Sequence, residues 1–257
     1  MKFLKLIDSK VNLKNKVLNM KNIQRCFIMS SLFLGCSVFV ASSVNLPYPY
    51  NTIQTLLPFD NHGWYFNGVW IEKLMRTNNT QTVVEVGSWL GCSARHMASL
   101  LPKDGKLYSV DTWEGSVEHF TVDEWKNKLP TLFEQFLSNT IHAGLTDIIF
   151  PIRAKSVDAV FVLKHFGDSF DLIYIDAAHD TDSVLSDLEA YFPLIKNNKG
   201  ILCGDDWRHG PIQVAVHEFA QKHQLTIYAD DNFFFLKETG RYNYFSFKNS
   251  DDSVWIF

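Results

Sequence analysis

Cysteine is scarce in this chain, with four among 257 residues. Cys26 and Cys36 fall near the N-terminus, which leaves Cys92 and Cys203 far apart in the remainder. Two such residues form neither a disulfide framework nor a metal-ligand spacing, so both are expected to be small core residues. A net basic balance is missing from most of the chain as well. The first 43 residues hold Lys2, Lys5, Lys10, Lys14, Lys16, Lys21 and Arg25 against Asp8, a balance of +6. The whole chain carries −4, so residues 44–257 sum to −10. Binding a phosphate backbone takes basic patches, and nucleic acid is therefore excluded as a partner. The sequence has no repeat and no low-complexity stretch. None of its apolar runs reaches the roughly 20 residues that span a bilayer.

The longest apolar run does have a recognisable shape. Phe27 to Ala41 (FIMSSLFLGCSVFVA) is uncharged, follows Lys21 and Arg25, and precedes Ser42 and Ser43. Basic, apolar and then small residues make a secretory signal. Residues 1–43 are thus expected to be a leader, with Met20 as an alternative start, that exports the protein to a periplasmic, secreted or lumenal compartment. Contact with a membrane would be through the leader alone. Two alternatives stay open: a membrane anchor, including lipidation at Cys36 because Leu34-Gly35-Cys36 loosely resembles a lipobox, or a buried helix in a cytoplasmic protein.

Hydrophobic residues at 46% and aromatics at 14% suffice for one well-buried domain and a lined pocket. Residues 44–80 read as a linker and helical cap: Pro47 to Asn61 is a linker or lid, and Gly68 to Met75 is helical. Short runs rich in β-branched residues follow at Thr82–Val86, Leu107–Val110, Ile148–Ile152, Asp171–Ile175 and Gly200–Cys203. Between them apolar residues recur at helical spacing, as in Val184, Leu185, Leu188, Tyr191, Phe192 and Ile195 after Asp180, and Val214, Ala215, Phe219 and Ala220 after Pro211. Strand-helix alternation predicts an α/β, Rossmann-like fold over residues 81–240: a mostly parallel twisted sheet with helices on both faces. Leu225–Tyr228 and Phe233–Leu236 are too close for a crossover helix and must form a C-terminal antiparallel hairpin. Residues 241–257 are an aromatic tail (Tyr242, Tyr244, Phe245, Phe247, Trp255, Phe257) that packs on the sheet or makes a homodimer contact.

The first candidate site is Glu85-Val86-Gly87-Ser88-Trp89-Leu90-Gly91-Cys92-Ser93, directly after a strand and opening a helix. Glycines there allow a sharp turn and close approach of a ligand, so Glu85, Gly87, Ser88, Gly91 and Ser93 are expected around one. The pattern is E-x-G-x-x-x-G and not the G-x-G-x-x-G that cradles a pyrophosphate. It suits a ligand without phosphate and argues against an NAD-dependent oxidoreductase. Asp111 ends the second strand, where an acid can accept hydrogen bonds from ribose hydroxyls; a helix cap or a solvated loop acid is the alternative. Thr112 follows it. Trp113 is placed to cover an adenine face and Ser156 to bond its edge, although packing and capping serve equally well.

The second site is Asp176-Ala177-Ala178-His179, beyond the fourth strand, where open α/β sheets bind ligands. The next strand ends in Gly204-Asp205-Asp206-Trp207. Adjoining tips bring Asp176, Asp205 and Asp206 together, and converging carboxylates call for a compensating cation. An oxygen-only set suits a hard cation such as Mg²⁺.

Glu85 to Ser93, Val110-Asp111-Thr112-Trp113, Ile175-Asp176 through His179, and Cys203-Gly204-Asp205-Asp206-Trp207 together resemble the macrocin O-methyltransferase and cephalosporin hydroxylase-like group of class I methyltransferases. Catechol O-methyltransferases are wider relatives. The resemblance covers roughly residues 60–240. It implies S-adenosylmethionine as cofactor, Asp111 as the ribose acid, Asp176 as a residue shared by cofactor and metal sites, and Asp176, Asp205 and Asp206 as metal ligands. His179 falls where relatives place a basic residue near the acceptor hydroxyl, making His179 and Asp176 the candidate catalytic pair. The expected acceptor is a small molecule bearing a hydroxyl. Ala177-Ala178 departs from the Gly-acid common before this histidine and removes one carboxylate. A hydroxylase-like protein that binds the cofactor without methyl transfer, or an exported interaction protein on the same fold, is the alternative.

Overall fold

The β-branched runs and apolar stripes become a layered sheet in the computed structural model, which describes residues 45–167, 169–196, 199–238 and the backbone of 255–256. The leader, residues 239–240 and the tail residues Tyr242, Tyr244, Phe245, Phe247 and Phe257 lie outside the described residues. The strands are β1 (Thr82–Val86), β2 (Lys106–Asp111), β3 (Ile149–Arg153), β4 (Leu172–Ile175), β5 (Ile201–Gly204), β6 (Leu225–Asp230), β7 (Phe233–Glu238) and β8 (Trp255–Ile256). The helices are α1 (Gly68–Asn78), α2 (Cys92–Leu100), α3 (Asp123–Lys126), α4 (Leu132–His142), α5 (Ser156–Phe166), α6 (Thr181–Tyr191) and α7 (Gly210–His223).

The sheet order is β3-β2-β1-β4-β5-β7-β6-β8. The first five strands are parallel, whereas β7 runs antiparallel to both β5 and β6. The hairpin is therefore present, and its second strand is inserted beside β5. Because β2 and β3 lie on one side of β1, and β4 and β5 on the other, the chain reverses direction at β1. That reversal opens a crevice at the carboxyl ends of the strands.

Strand periodicity divides the core in two. Val84, Val86, Tyr108, Val110, Ile173, Ile175 and Leu202 face one layer, where Ala159, Leu163, Leu188 and Phe219 of α5, α6 and α7 cover them. Val83, Leu107, Leu172, Tyr174, Ile201 and Cys203 face the other, under Leu74, Met97 and Phe136 of α1, α2 and α4. Alternate residues pointing to opposite faces is what a two-sided sheet requires.

The segment expected as a linker or lid is fastened down as a strap. Tyr50 is buried and donates to the Ile149 carbonyl at 2.7 Å. The Leu57 amide donates to Ser138 Oγ at 3.0 Å. Asn139 receives the Asp60 amide at 2.9 Å and donates to the carbonyls of Asp60 and Leu90 at 2.7 and 2.9 Å. Its amide group is thereby satisfied although fully buried. Of the two cysteines, Cys203 is a core residue, while Cys92 is half-buried and lines the crevice.

Candidate active site

A cleft of about 950 Å³ occupies the crevice. Its first wall is the turn after β1. Gly87 adopts φ +92°, and a Cβ there would lie 1.9 Å from the Asp176 carbonyl oxygen, so both conformation and close approach require glycine. Gly91, at φ +78°, caps α2 and abuts Phe136. It shapes the turn without lining the cleft. Glu85 also stays beneath the turn. Its fully buried carboxylate accepts from Ser88 Oγ at 2.6 Å, Ser93 Oγ at 2.5 Å and Ser109 Oγ at 3.2 Å. Burial pushes Glu85 up to about 7, against those three hydroxyls. Ser88 and Ser93 are cleft residues; Glu85 positions them.

Asp111 stands at the tip of β2 and lines the cleft with Thr112 and Ser156. One of its oxygens, Oδ2, accepts from the amides of Ser88 and Trp89, both at 2.9 Å, and the other from the amide of Trp113 at 2.7 Å. A carboxylate offers about four acceptor positions. Room therefore remains for one further donor, where two ribose hydroxyls were expected.

Trp113 is a correction. Its ring is 2% exposed, donates to the Trp89 carbonyl at 3.0 Å and packs on Phe133 and Phe136 with centroids 4.7 and 4.8 Å away. A φ of +52° turns the residue back into the core, so it covers no ligand.

At the β4 and β5 tips, Asp176, His179 and Asp206 offer ligand atoms that lie within 4.8 Å of one another. Asp205 drops out of this tightest set. Its carboxylate accepts from the Asp206 amide at 2.6 Å, Asn232 Nδ2 at 2.8 Å and the Tyr174 hydroxyl at 3.1 Å. Asp205 stays beside Asp206, since Asn232 Nδ2 donates to both, and a φ of +59° at Asp206 turns its other carboxylate oxygen to His179, which joins the expected acids. His179 Nε2 is 2.9 Å from Asp206 Oδ2, and its Nδ1 is 3.8 Å from Glu118 Oε1. The Asp206 hydrogen bond raises the His179 pKa, and His179 in turn holds Asp206 below the usual carboxylate range. Burial, then the charges of Asp205 and Asp206, push Asp176 well up. Carboxylate oxygens with one imidazole fit a divalent cation, and the crowding of acids around Asp176 is the charge such an ion would offset.

The third wall was not foreseen. Trp89 stacks on His119 with centroids 4.2 Å apart, and Trp64 meets Trp125 edge-on at 4.8 Å. All four line the cleft, together with Glu118. Three of the five come from the segment between β2 and α4. The length of that connection, several times the usual span of about 4–6 residues between elements, was the available signal.

Residues 84–207 match the family model described as a methyltransferase domain. No curated protein matches the chain in sequence. Among solved structures, the O-methyltransferase TomG from Streptomyces achromogenes, in complex with SAM, superposes with a TM-score of 0.54 at 18% identity over 70% of this chain and 83% of its own. An O-methyltransferase from Bacillus cereus, in complex with SAH, gives 0.52 at 16% identity over 70% and 83%. The Rossmann-like methyltransferase fold expected from the strand pattern is the fold observed.

Proposed function

We propose, from a methyltransferase domain over residues 84–207, that this S-adenosylmethionine-dependent enzyme methylates a hydroxyl oxygen of a small, ring-bearing acceptor. One observation carries the reading: a single cleft joins the Gly87 turn and Asp111 to the Asp176–His179–Asp206 cluster and to an aromatic wall. The first pair suits a nucleoside cofactor without phosphate. The wall suits the flat faces of a ring.

Asp111 takes a ribose hydroxyl as its remaining donor. Trp64, Trp89, His119 and Trp125 hold the acceptor and keep water from the sulfonium. His179 removes the hydroxyl proton onto Nδ1 as general base, while its Nε2–H bonds Asp206 and keeps the imidazole oriented. S-adenosylmethionine, when bound, would supply the methyl group to that oxygen as its sulfonium–carbon bond breaks and S-adenosylhomocysteine leaves, and the cleft contributes by fixing the orientation of both partners. Asp176, Asp205 and Asp206 would hold a divalent cation, magnesium or a similar ion. Bound there, it supplies Lewis-acid lowering of the hydroxyl pKa.

Calorimetric titration with S-adenosylhomocysteine and Mg²⁺, followed by a screen of phenols and sugars for S-adenosylhomocysteine release, tests the reading. Binding with hydroxyl-dependent turnover supports it; no binding removes it. Export belongs to the same proposal and rests on the basic, apolar and small segments of residues 1–43. Intact-mass measurement of protein recovered outside the cytoplasm should show a start near Ser43. Full-length protein confined to the cytoplasm would overturn export without touching the chemistry.

A further inference from the structure

One end of the cleft holds a buried acid that the reaction does not use. Asp187 lies in the second turn of α6, is 3% exposed and lines the cleft with Ser183 and Ser186. Positions 183, 186 and 187 share one helical face. Opposite them stand Lys155, Ser156 and Val157, where α5 begins. The Ser156 side chain stands beside the Asp187 carboxylate and favours its ionised form. The amides of Ser156 and Val157, first in the helix, have no acceptor within it.

This corner adjoins the ribose position. Arg153 is the register partner of Asp111, and the Ala154 amide donates to the Asp111 carbonyl at 3.0 Å. A base attached to a sugar held at Asp111, and directed away from Gly87 and Asp176, lies over Ala154 to Val157. Its edge then meets the α6 face. Adenine presents an amino group that donates and a ring nitrogen that accepts. The corner answers with a carboxylate that accepts and helix-start amides that donate. A 6-oxo purine presents the opposite pattern, an oxygen and a ring N–H.

We infer that Asp187 reads the exocyclic amine of adenine and sets the selectivity of the site for adenosyl over 6-oxopurine nucleosides. This rests on the cofactor reading above. Burial raises Asp187 to about 6, which leaves it ionised and purely an acceptor at pH 8. A merely structural Asp187 would cap the start of α5, affecting stability and not the choice of base.

The test is calorimetric titration at pH 8 of the full chain with S-adenosylhomocysteine, S-inosylhomocysteine and the N6,N6-dimethyladenosyl analogue. Wild type should prefer the first by about tenfold or more over each of the others, the scale of a hydrogen bond to a charged group. In Asp187→Asn the preference over the inosyl compound should vanish or reverse, because the side-chain amide can donate to the 6-oxo group. Equal wild-type affinity for the adenosyl and inosyl compounds overturns the inference, as does an Asn variant that keeps the wild-type ratio. Should that variant not fold, the three wild-type affinities decide alone. Wild type binding none of the three removes the cofactor reading itself, a different failure.

Discussion

His179 Nε2 and Asp206 Oδ2, 2.9 Å apart, join the loop after β4 to the loop after β5 across adjacent strands. The pair gives the imidazole a fixed face and a raised proton affinity. It also explains why a histidine sits among acids at a strand tip, since they offset the positive charge it gains on taking a proton.

Replacing that imidazole should separate chemistry from binding. His179→Ala is expected to lower turnover by about 100-fold or more, the usual contribution of a general base. Affinity for S-adenosylhomocysteine should be nearly unchanged. Normal turnover in the variant would take the proton-accepting role away from His179.

The acid cluster predicts a cation requirement. Exhaustive chelation should abolish turnover, and added Mg²⁺ should restore it. In Asp176→Asn the Mg²⁺ concentration for half-maximal activity should rise by at least about tenfold, since even indirect partners of metal ligands are worth that much. Full activity in chelator would make the cluster an ion-paired structural feature.

Asp111 clamps three amides while facing the cleft. Asp111→Ala orphans them, and each buried unsatisfied donor costs about 1–3 kcal/mol. Calorimetry should show loss of S-adenosylhomocysteine binding, and thermal melting should show a lower Tm. Undiminished cofactor uptake would contradict the assigned role.

Glu85 makes stability depend on pH. Its folded pKa is raised from the ordinary 4.5 to about 7. The folded state therefore holds its proton more tightly than the unfolded chain. The contribution is complete below pH 4.5 and is lost as pH rises through 7, amounting to about 3 kcal/mol. Glu85→Gln cannot ionise. Denaturant melts should show the variant gaining on wild type between pH 5 and pH 8, and parallel curves at all pH would refute the buried ionisation.

Much of the frame was legible because burial writes itself as period. The apolar run of Val83, Val84 and Val86, like that of Leu107 and Val110, marks a strand buried on both faces. The structure begins each of the seven expected strands within one residue of the expected start. Asp111, Asp176 and Asp206 were found because strand ends are where an open sheet binds ligands. Side-chain direction was not legible. Trp113 is only two residues from Asp111, yet a left-handed backbone sends its ring into the core. Asp205 and Asp206 share the Asn232 amide, yet a left-handed backbone at Asp206 aims only that carboxylate at His179. Asp187 gave no signal, since an acid within a helix normally faces solvent.

The strap also sets one border of the cleft. Asn61 Oδ1 receives Arg95 Nη2 at 2.6 Å, and Arg95 Nη1 reaches the Leu90 carbonyl at 2.7 Å. With Asn139 these bonds lash the strap to α2, α4 and the turn after β1, and thereby fix the jamb on which Trp64 hangs. Facing it, residues 117–120 carry the exposed Val117 and Phe120 and reach the wall through His119 stacked on Trp89. That stacked pair closes one side of the cleft, so widening the cleft there means separating His119 from Trp89.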